Sequence, residues 1–281
     1  MREITADSIR IKVKELLLEA AFHTGEDVKS SIRKFYNSET SPSGRAVLEM
    51  IMENQNIASG EGIAICQDTG MVILFFEVGQ EVIITGGDFR DAVNMGVSDA
   101  YEEGYLRKSV VNDPVFDRKN TGDNTPAVIY TDIVSGDKIK ILAIAKGFGS
   151  ENMSALAMLT PFHGKQGIID FVVNTIEKAG PNPCPPTIVG VGIGGTADMA
   201  MVMAKKGTAR NIGTCNSDPR YAEMEREILD RANRLGIGPA GLGGNTTSLA
   251  VHIEFMPTHI AGMPVAVNIC CHASRHARGV L

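Results

Sequence analysis

Apolar positions recur with helical spacing through the first sixty residues. Ile9, Val13, Leu16, Leu17 and Ala20 share one face of a run that Thr5 caps and Gly25 follows. A second helix is expected over Glu26 to Tyr36. Ser41-Pro42-Ser43-Gly44 opens a third, with Val47, Met50 and Ile51 inward. Beyond Cys66 the pattern shifts. Val72-Ile73-Leu74-Phe75-Phe76 and Glu81 to Thr85 read as strands, and Asp88 to about Leu106 as a helix. Ala127 to Val134 and Lys138 to Ala145 are β-type runs on either side of Ser135-Gly136-Asp137, which predicts a hairpin. Helices are expected at Asn152–Leu159 and Gly167–Lys178. A strand at Thr187–Val191 then runs into Gly192-Ile193-Gly194-Gly195 and a Met/Ala-rich helix to Lys206. A charged helix at Pro219 to Leu235 and β runs at Leu249–Phe255 and Pro264–Cys270 complete the pattern. No internal repeat, low-complexity stretch or linker divides it. The expected fold class is α/β, a single mixed domain over 1–281 in which a helical segment (1–60) precedes β-sheets flanked by helices.

Composition narrows the function classes. The 281 residues carry a net charge of −6, with 43% hydrophobic and 21% charged residues, ordinary globular usage. An acidic chain lacks the basic face that nucleic acid requires. No apolar run approaches the roughly 18 residues of a membrane span. The N-terminal Met1-Arg2-Glu3-Ile4 has no basic-then-apolar signal, so secretion is not expected. Five cysteines with no CxxC do not resemble a disulfide framework, and reduced thiols in a cytoplasmic protein are expected instead.

Two features carry candidate chemistry. Gly190-Val191-Gly192-Ile193-Gly194-Gly195 satisfies GxGxxG between a strand and a helix, the context of a dinucleotide site. The fingerprint also needs a second strand ending in an acidic residue about 20 residues on. Here that region, Gly207 to Gly213, is not a β run, which argues against the site. Tight strand-to-helix packing and close approach to a ligand both remain open as reasons for the glycines. The second feature is the cysteines. Cys66 precedes Gln67-Asp68-Thr69-Gly70, and Cys184 sits among Pro183, Pro185 and Pro186, which hold the backbone irregular. Cys271 follows a strand, with Arg275 and His276 nearby as positive charges that favour thiolate. Each cysteine alone reads as a small buried apolar residue. Their wide separation in sequence is unlike local zinc or ferredoxin spacing, so a three-thiolate site is one reading among others.

At these residues the chain resembles a known family. Cys66-Gln67-Asp68-Thr69-Gly70, Asn182-Pro183-Cys184-Pro185-Pro186 and Cys271-His272-Ala273-Ser274-Arg275 resemble motifs of the class I, iron–sulfur-dependent fumarate hydratases and of the related L-tartrate dehydratases. Leu106-Arg107-Lys108-Ser109, Asp123-Asn124-Thr125-Pro126, Lys146 to Glu151, the Gly190–Gly195 loop and His259-Ile260-Ala261-Gly262 match in the same order. The resemblance implies a [4Fe–4S] cluster held by Cys66, Cys184 and Cys271, with Cys270 a rival for the last place, and one iron left open to bind substrate. It implies a substrate pocket with Gln67, Asp68, Arg107, Gly149 and His259, in which Asp68 and His259 are the candidate catalytic groups. Asp68 also suits an Asx-turn, and His259 also suits a purely structural role. Phe148 departs from the family, which has glycine there, so a different local loop shape is expected. Cys215 has no implied role. The chain ends soon after Cys271, so the resemblance points to the alpha subunit of a split enzyme. A beta subunit would then complete the pocket for a small dicarboxylic acid, and the alpha subunit is a candidate homodimer. The leading expectation is interconversion of fumarate and (S)-malate. L-tartrate dehydration is the alternative, and a non-catalytic metal-binding scaffold subunit a further one.

Overall fold

The run Met71–Gly79 (β2), apolar save for Glu77, is buried along almost its whole length and stands inside a four-stranded sheet. The structure, a computed structural model, describes all 281 residues. Contacts divide them into two units. The first comprises Met1–Thr24, Gln55–Phe148 and Arg275–Leu281, and the second Gly25–Asn54 and Gly149–Ser274. The architecture is α/β, and no helix is long and apolar enough to cross a membrane.

In the first unit, β1 (Arg2–Thr5) pairs in parallel with β3 (Val82–Thr85). Thr5 caps α1 (Ala6–Phe22) by accepting from the Ser8 N–H, and Ile9, Val13, Leu16, Leu17 and Ala20 are buried as expected. Asp88 caps α4 (Phe89–Glu103) through the Asp91 N–H. The main sheet adds β4 (Val128–Val134), β5 (Ile139–Lys146) and β10 (His276–Val280), in the order β10-β5-β2-β4. The expected hairpin is not formed, because β2 lies between β4 and β5, parallel to the first and antiparallel to the second. The Ser135-Gly136-Asp137 turn exists but wraps the end of β2. Gly79 N–H donates to Lys138 O at 2.8 Å and Glu81 N–H to Gly136 O at 3.0 Å. A Cβ on Gly79 would come within 2.3 Å of Gly136 O, so only glycine lets the strand end enter that turn. The core joins Val13, Leu17, Val93 and Val97 of the helices to Val72, Leu74, Phe76 and Ile141 of the sheet.

In the second unit, α2 (Glu26–Ser38) and α3 (Pro42–Glu61) bring Val28, Ile32, Leu48 and Ile51 together. Met50, expected inward, is 64% exposed, and Leu48 takes the core position instead. After α5 (Phe148–Glu151) comes β6 (Ala155–Leu159), in the segment where helix was expected. Alanine, leucine and methionine favour helix in isolation, but antiparallel pairing of Ala155–Leu159 with β9 (Met263–Cys270) overrides that preference. The remaining elements are α6 (Gly164–Ala179), β7 (Thr187–Gly195), α7 (Ala197–Gly207), α8 (Pro219–Arg234) and β8 (Ser248–Thr258). The sheet order is β6-β9-β7-β8, with β7 parallel to β8 and antiparallel to β9. Gly190 and Gly192 lie within β7, and a Cβ on either would meet Ala204 O at 1.9 Å or Ala200 O at 2.0 Å. The seating of α7 on the strand accounts for these two glycines.

A buried carboxylate clamps part of this unit. Glu39 is 3% exposed and accepts from the N–H groups of Thr40 and Ser41 (both 2.9 Å), from Asn245 N–H (2.9 Å) and from the Thr246 hydroxyl (2.7 Å). Burial pushes its carboxyl up, but these donors outweigh burial and hold it below the usual carboxylate range. The stability it contributes is therefore full above the ordinary carboxylate range and is lost as pH falls through the lowered folded value. Glu39→Gln is expected to cost about 2–3 kcal/mol in urea unfolding at neutral pH, as charge-assisted bonds are lost and an NH2 group meets N–H donors. The deficit relative to the unsubstituted chain should shrink in acid.

Candidate functional site

In each unit, all candidate residues but His259 gather at one end of the sheet. In the first unit, Cys66, Gln67 and Asp68 lie on the loop entering β2, and Arg107 on the loop leaving α4. Asp68 is fixed through both oxygens. Oδ1 accepts from Gly70 N–H at 3.2 Å, the expected Asx-turn, and Oδ2 accepts from Phe148 N–H at 2.8 Å. The second bond holds the carboxylate in place beyond what a local turn requires. Phe148, the departure from the family pattern, contributes its backbone here while its ring is 46% exposed.

Arg275 joins this cluster. Its side chain is 3% exposed, and Nε donates to Ala145 O at 3.3 Å. A Cβ placed on Gly147 would meet Asp68 Oδ2 at 3.0 Å and Arg275 Nη2 at 3.1 Å, so the guanidinium and the carboxylate approach each other over that glycine. Its guanidinium reaches the Ala145 carbonyl and the Gly147 side. Tyr101, buried beneath, donates to Thr69 O at 2.8 Å and Gly70 O at 3.1 Å. Burial pushes its hydroxyl far up, with Arg275 opposing and Asp68 adding to the shift, so it stays protonated and donates both hydrogen bonds at every physiological pH. Thr69 Oγ1 donates to Arg107 O at 2.5 Å, which ties the arginine loop to the cysteine loop while the Arg107 side of the loop stays exposed.

In the second unit, Cys184, Gly149 and Cys271 come together at the end of the sheet where β7 begins and β9 ends. Ile188 pairs with Cys270, and His272 N–H lies 3.5 Å from Cys184 O. Gly149 stands beside Asn182, whose carbonyl oxygen would lie 3.5 Å from a Cβ on the glycine. Cys184 adopts φ +52 between its prolines, and the cysteine is exposed. His259 lies elsewhere. It follows Thr258, which pairs with Gly195 at the far end of β7, and it is exposed on the turn between β8 and β9. β9 is eight residues long. At about 3.4 Å per residue, roughly 25 Å separates His259 from Cys271.

None of the five cysteines forms a disulfide. Cys66, Cys184 and Cys271 lie on irregular backbone with partial or full access, whereas Cys270 is buried within β9 and Cys215 is exposed on a separate loop. Soft thiolates on accessible loops are the donor type that iron–sulfur groups take, so the donor set fits in its chemistry. No cluster of three or more His, Cys, Asp or Glu side chains is disposed as a metal-ion cage. Asn124, Tyr101 and the approach of Arg275 to the Gly147 side were not anticipated, and only the motif Asp123-Asn124-Thr125-Pro126 signalled the first of them.

The chain matches the model of the fumarate hydratase (fumerase) family over residues 10–280. It is 43% identical over 271 residues to a Methanocaldococcus jannaschii protein provisionally named L(+)-tartrate dehydratase subunit alpha, covering 94% of each chain. It is 34% identical over 260 residues to the L(+)-tartrate dehydratase subunit alpha of Escherichia coli K12, covering 91% of this chain and 84% of that one.

Proposed function

The chain belongs to the fumarate hydratase (fumerase) family of hydro-lyases, and on that premise we propose that it is the alpha subunit of an enzyme interconverting fumarate and (S)-malate. The observation that carries this reading is Asp68, a carboxylate pinned through both oxygens on the loop that also bears Cys66 and Gln67 and is bonded to the Arg107 loop. Removing water from a 2-hydroxy diacid requires loss of a proton beside one carboxylate and departure of a poor leaving group. Cys66, Cys184 and Cys271 would hold a [4Fe–4S] cluster, which when bound supplies Lewis-acid assistance to the departing hydroxyl. The exposed Arg107 guanidinium can grip a carboxylate bidentately. Gln67 and the Gly149 N–H supply further polar contacts to the diacid. Asp68, held rigid, assists proton transfer at its carboxylate oxygens. A beta subunit completes the site, in keeping with the alpha-subunit names of the relatives.

His259 stands at the other end of β9 from Cys271. We therefore assign it to the site on a second copy of the alpha chain. Co-assembling Asp68→Asn chains with His259→Asn chains should restore turnover that each variant alone lacks, because a mixed pair contains one intact site. No recovery in mixed assemblies would remove this assignment.

L(+)-tartrate dehydration is the second reading, favoured by the names of the two relatives. Tartrate offers the same carboxylate and hydroxyl handles and one more hydroxyl. Steady-state kinetics of the anaerobic alpha–beta complex with (S)-malate and with L-tartrate separates the two. A higher kcat/KM for (S)-malate is expected, and the reverse order selects the second reading.

A further inference from the structure

Asn124 lies in a motif, Asp123-Asn124-Thr125-Pro126, that the functional reading does not use. Its side chain is completely buried (0%), its backbone is left-handed at φ +63, and both ends of its amide are bonded. Oδ1 accepts from Ser109 N–H at 2.7 Å and from Val110 N–H at 3.3 Å, while Nδ2 donates to Gly70 O at 3.2 Å. The preceding Asp123 accepts from the N–H and hydroxyl of Thr125 at 2.9 and 2.8 Å, which fixes the turn that presents Asn124. Ser109 and Val110 follow Arg107, and Gly70 follows Asp68. One amide thus bridges the loop that carries the diacid-gripping arginine and the loop that carries the pinned carboxylate. The bond from Thr69 Oγ1 to Arg107 O is a second rung between the same two loops.

Left-handed backbone alone does not explain the residue. Asparagine is favoured there, but so are aspartate and glycine, and neither can donate from a side chain to Gly70 O. A lone buried amide with three well-placed partners is also costly to leave half-made, so the bridge resists opening.

Building on the hydro-lyase reading, we propose that Asn124 is a positioning residue that sets Arg107 against Asp68, and so fixes the span of diacid that the alpha chain accepts. It touches no substrate itself. Its effect should therefore appear as weakened binding with the chemistry intact. Asn124→Gly keeps the backbone conformation and removes the bridge, and Thr69→Val removes the other rung with little change in shape. In the alpha–beta complex each is expected to lower kcat/KM by about tenfold, carried mainly by KM, because a gripping contact made in ground and transition state alike is lost. Thr69→Ser, which keeps the hydroxyl, should restore near-unsubstituted KM.

Hydrogen exchange of the full chain supplies a readout that needs no turnover. Asn124→Gly should raise exchange both in residues 66–71 and in residues 106–111. Faster exchange confined to Ser109 and Val110, or an unchanged KM in both Asn124→Gly and Thr69→Val, would overturn the proposal. If Asn124→Gly fails to fold, the Thr69 pair decides by the same criteria. If the unsubstituted complex turns over no diacid, the hydro-lyase reading falls instead, and exchange still decides whether the two loops are coupled.

Discussion

Replacing Cys66, Cys184 or Cys271 by serine is expected to abolish iron and sulfide retention and reduce turnover below detection. Cys215→Ser should retain both. The reason is ligand chemistry. Serine keeps the size and loop geometry but exchanges a soft thiolate for a hard hydroxyl that is protonated at neutral pH, and iron–sulfur groups select thiolate. The three cysteines sit on partly or fully accessible loops, so the substitutions remove little packing and the protein without its cluster should unfold within about 0.5 kcal/mol of the unsubstituted chain. Cys270 behaves differently because it is buried in β9 against Val28, Ile32 and Leu249. Cys270→Ser buries a hydroxyl there and is expected to lower stability while leaving cluster content per folded molecule unchanged. Iron and sulfide analysis of anaerobically purified variants checks the series. Equal loss in the Cys66, Cys184, Cys271 and Cys215 variants would contradict this ligand set, and stoichiometric zinc in place of iron would favour a scaffold subunit.

Asp68→Asn is the second large effect. Asparagine can still accept the Gly70 or the Phe148 N–H through one oxygen, but its NH2 then faces the other donor. The loop should stay closed, with a small stability cost, while the proton-transfer role disappears. A fall in kcat of about 10²- to 10⁴-fold with KM little changed is expected, the range for loss of a positioned acid–base group. A fall below tenfold would mean that Asp68 only closes its Asx-turn and that the proton moves through another group. Comparing Asp68→Asn with Arg107→Met sharpens the test, because losing the arginine should raise KM instead.

Much of this molecule was legible in the sequence. The cap at Thr5 and the apolar stripe of α1, the charged helix α8 and the strands β2, β5, β7 and β9 follow from local periodicity. What failed was set by partners far along the chain. Ala155–Leu159 has helix-forming residues and became an edge strand because β9 pairs with it. The turn at Ser135–Asp137 was correctly read, yet β2 occupies the space between its strands, and Gly79 is the only local sign of it. β1 and β10 are too short to show a period, and each exists through its neighbour. At the candidate site, the motifs singled out Cys66, Asp68, Cys184, Gly149 and Cys271 as candidates. They gave no sign that His259 lies at the opposite end of β9 from Cys271, or that Arg275 turns to the Gly147 side. The two readings of the glycine loop could not be separated without the backbone of α7, whose carbonyls leave no room for a side chain at Gly190 or Gly192.

We propose that this chain is half of a fumarate-hydrating site. Turnover of fumarate to malate by the anaerobic alpha–beta pair, with each subunit alone as control, tests it most directly. Hydration by the pair, reversible from (S)-malate, and negligible turnover by this chain alone are expected. Absence of hydration by a pair with its full iron and sulfide content, or full turnover by this chain without a partner, would contradict it.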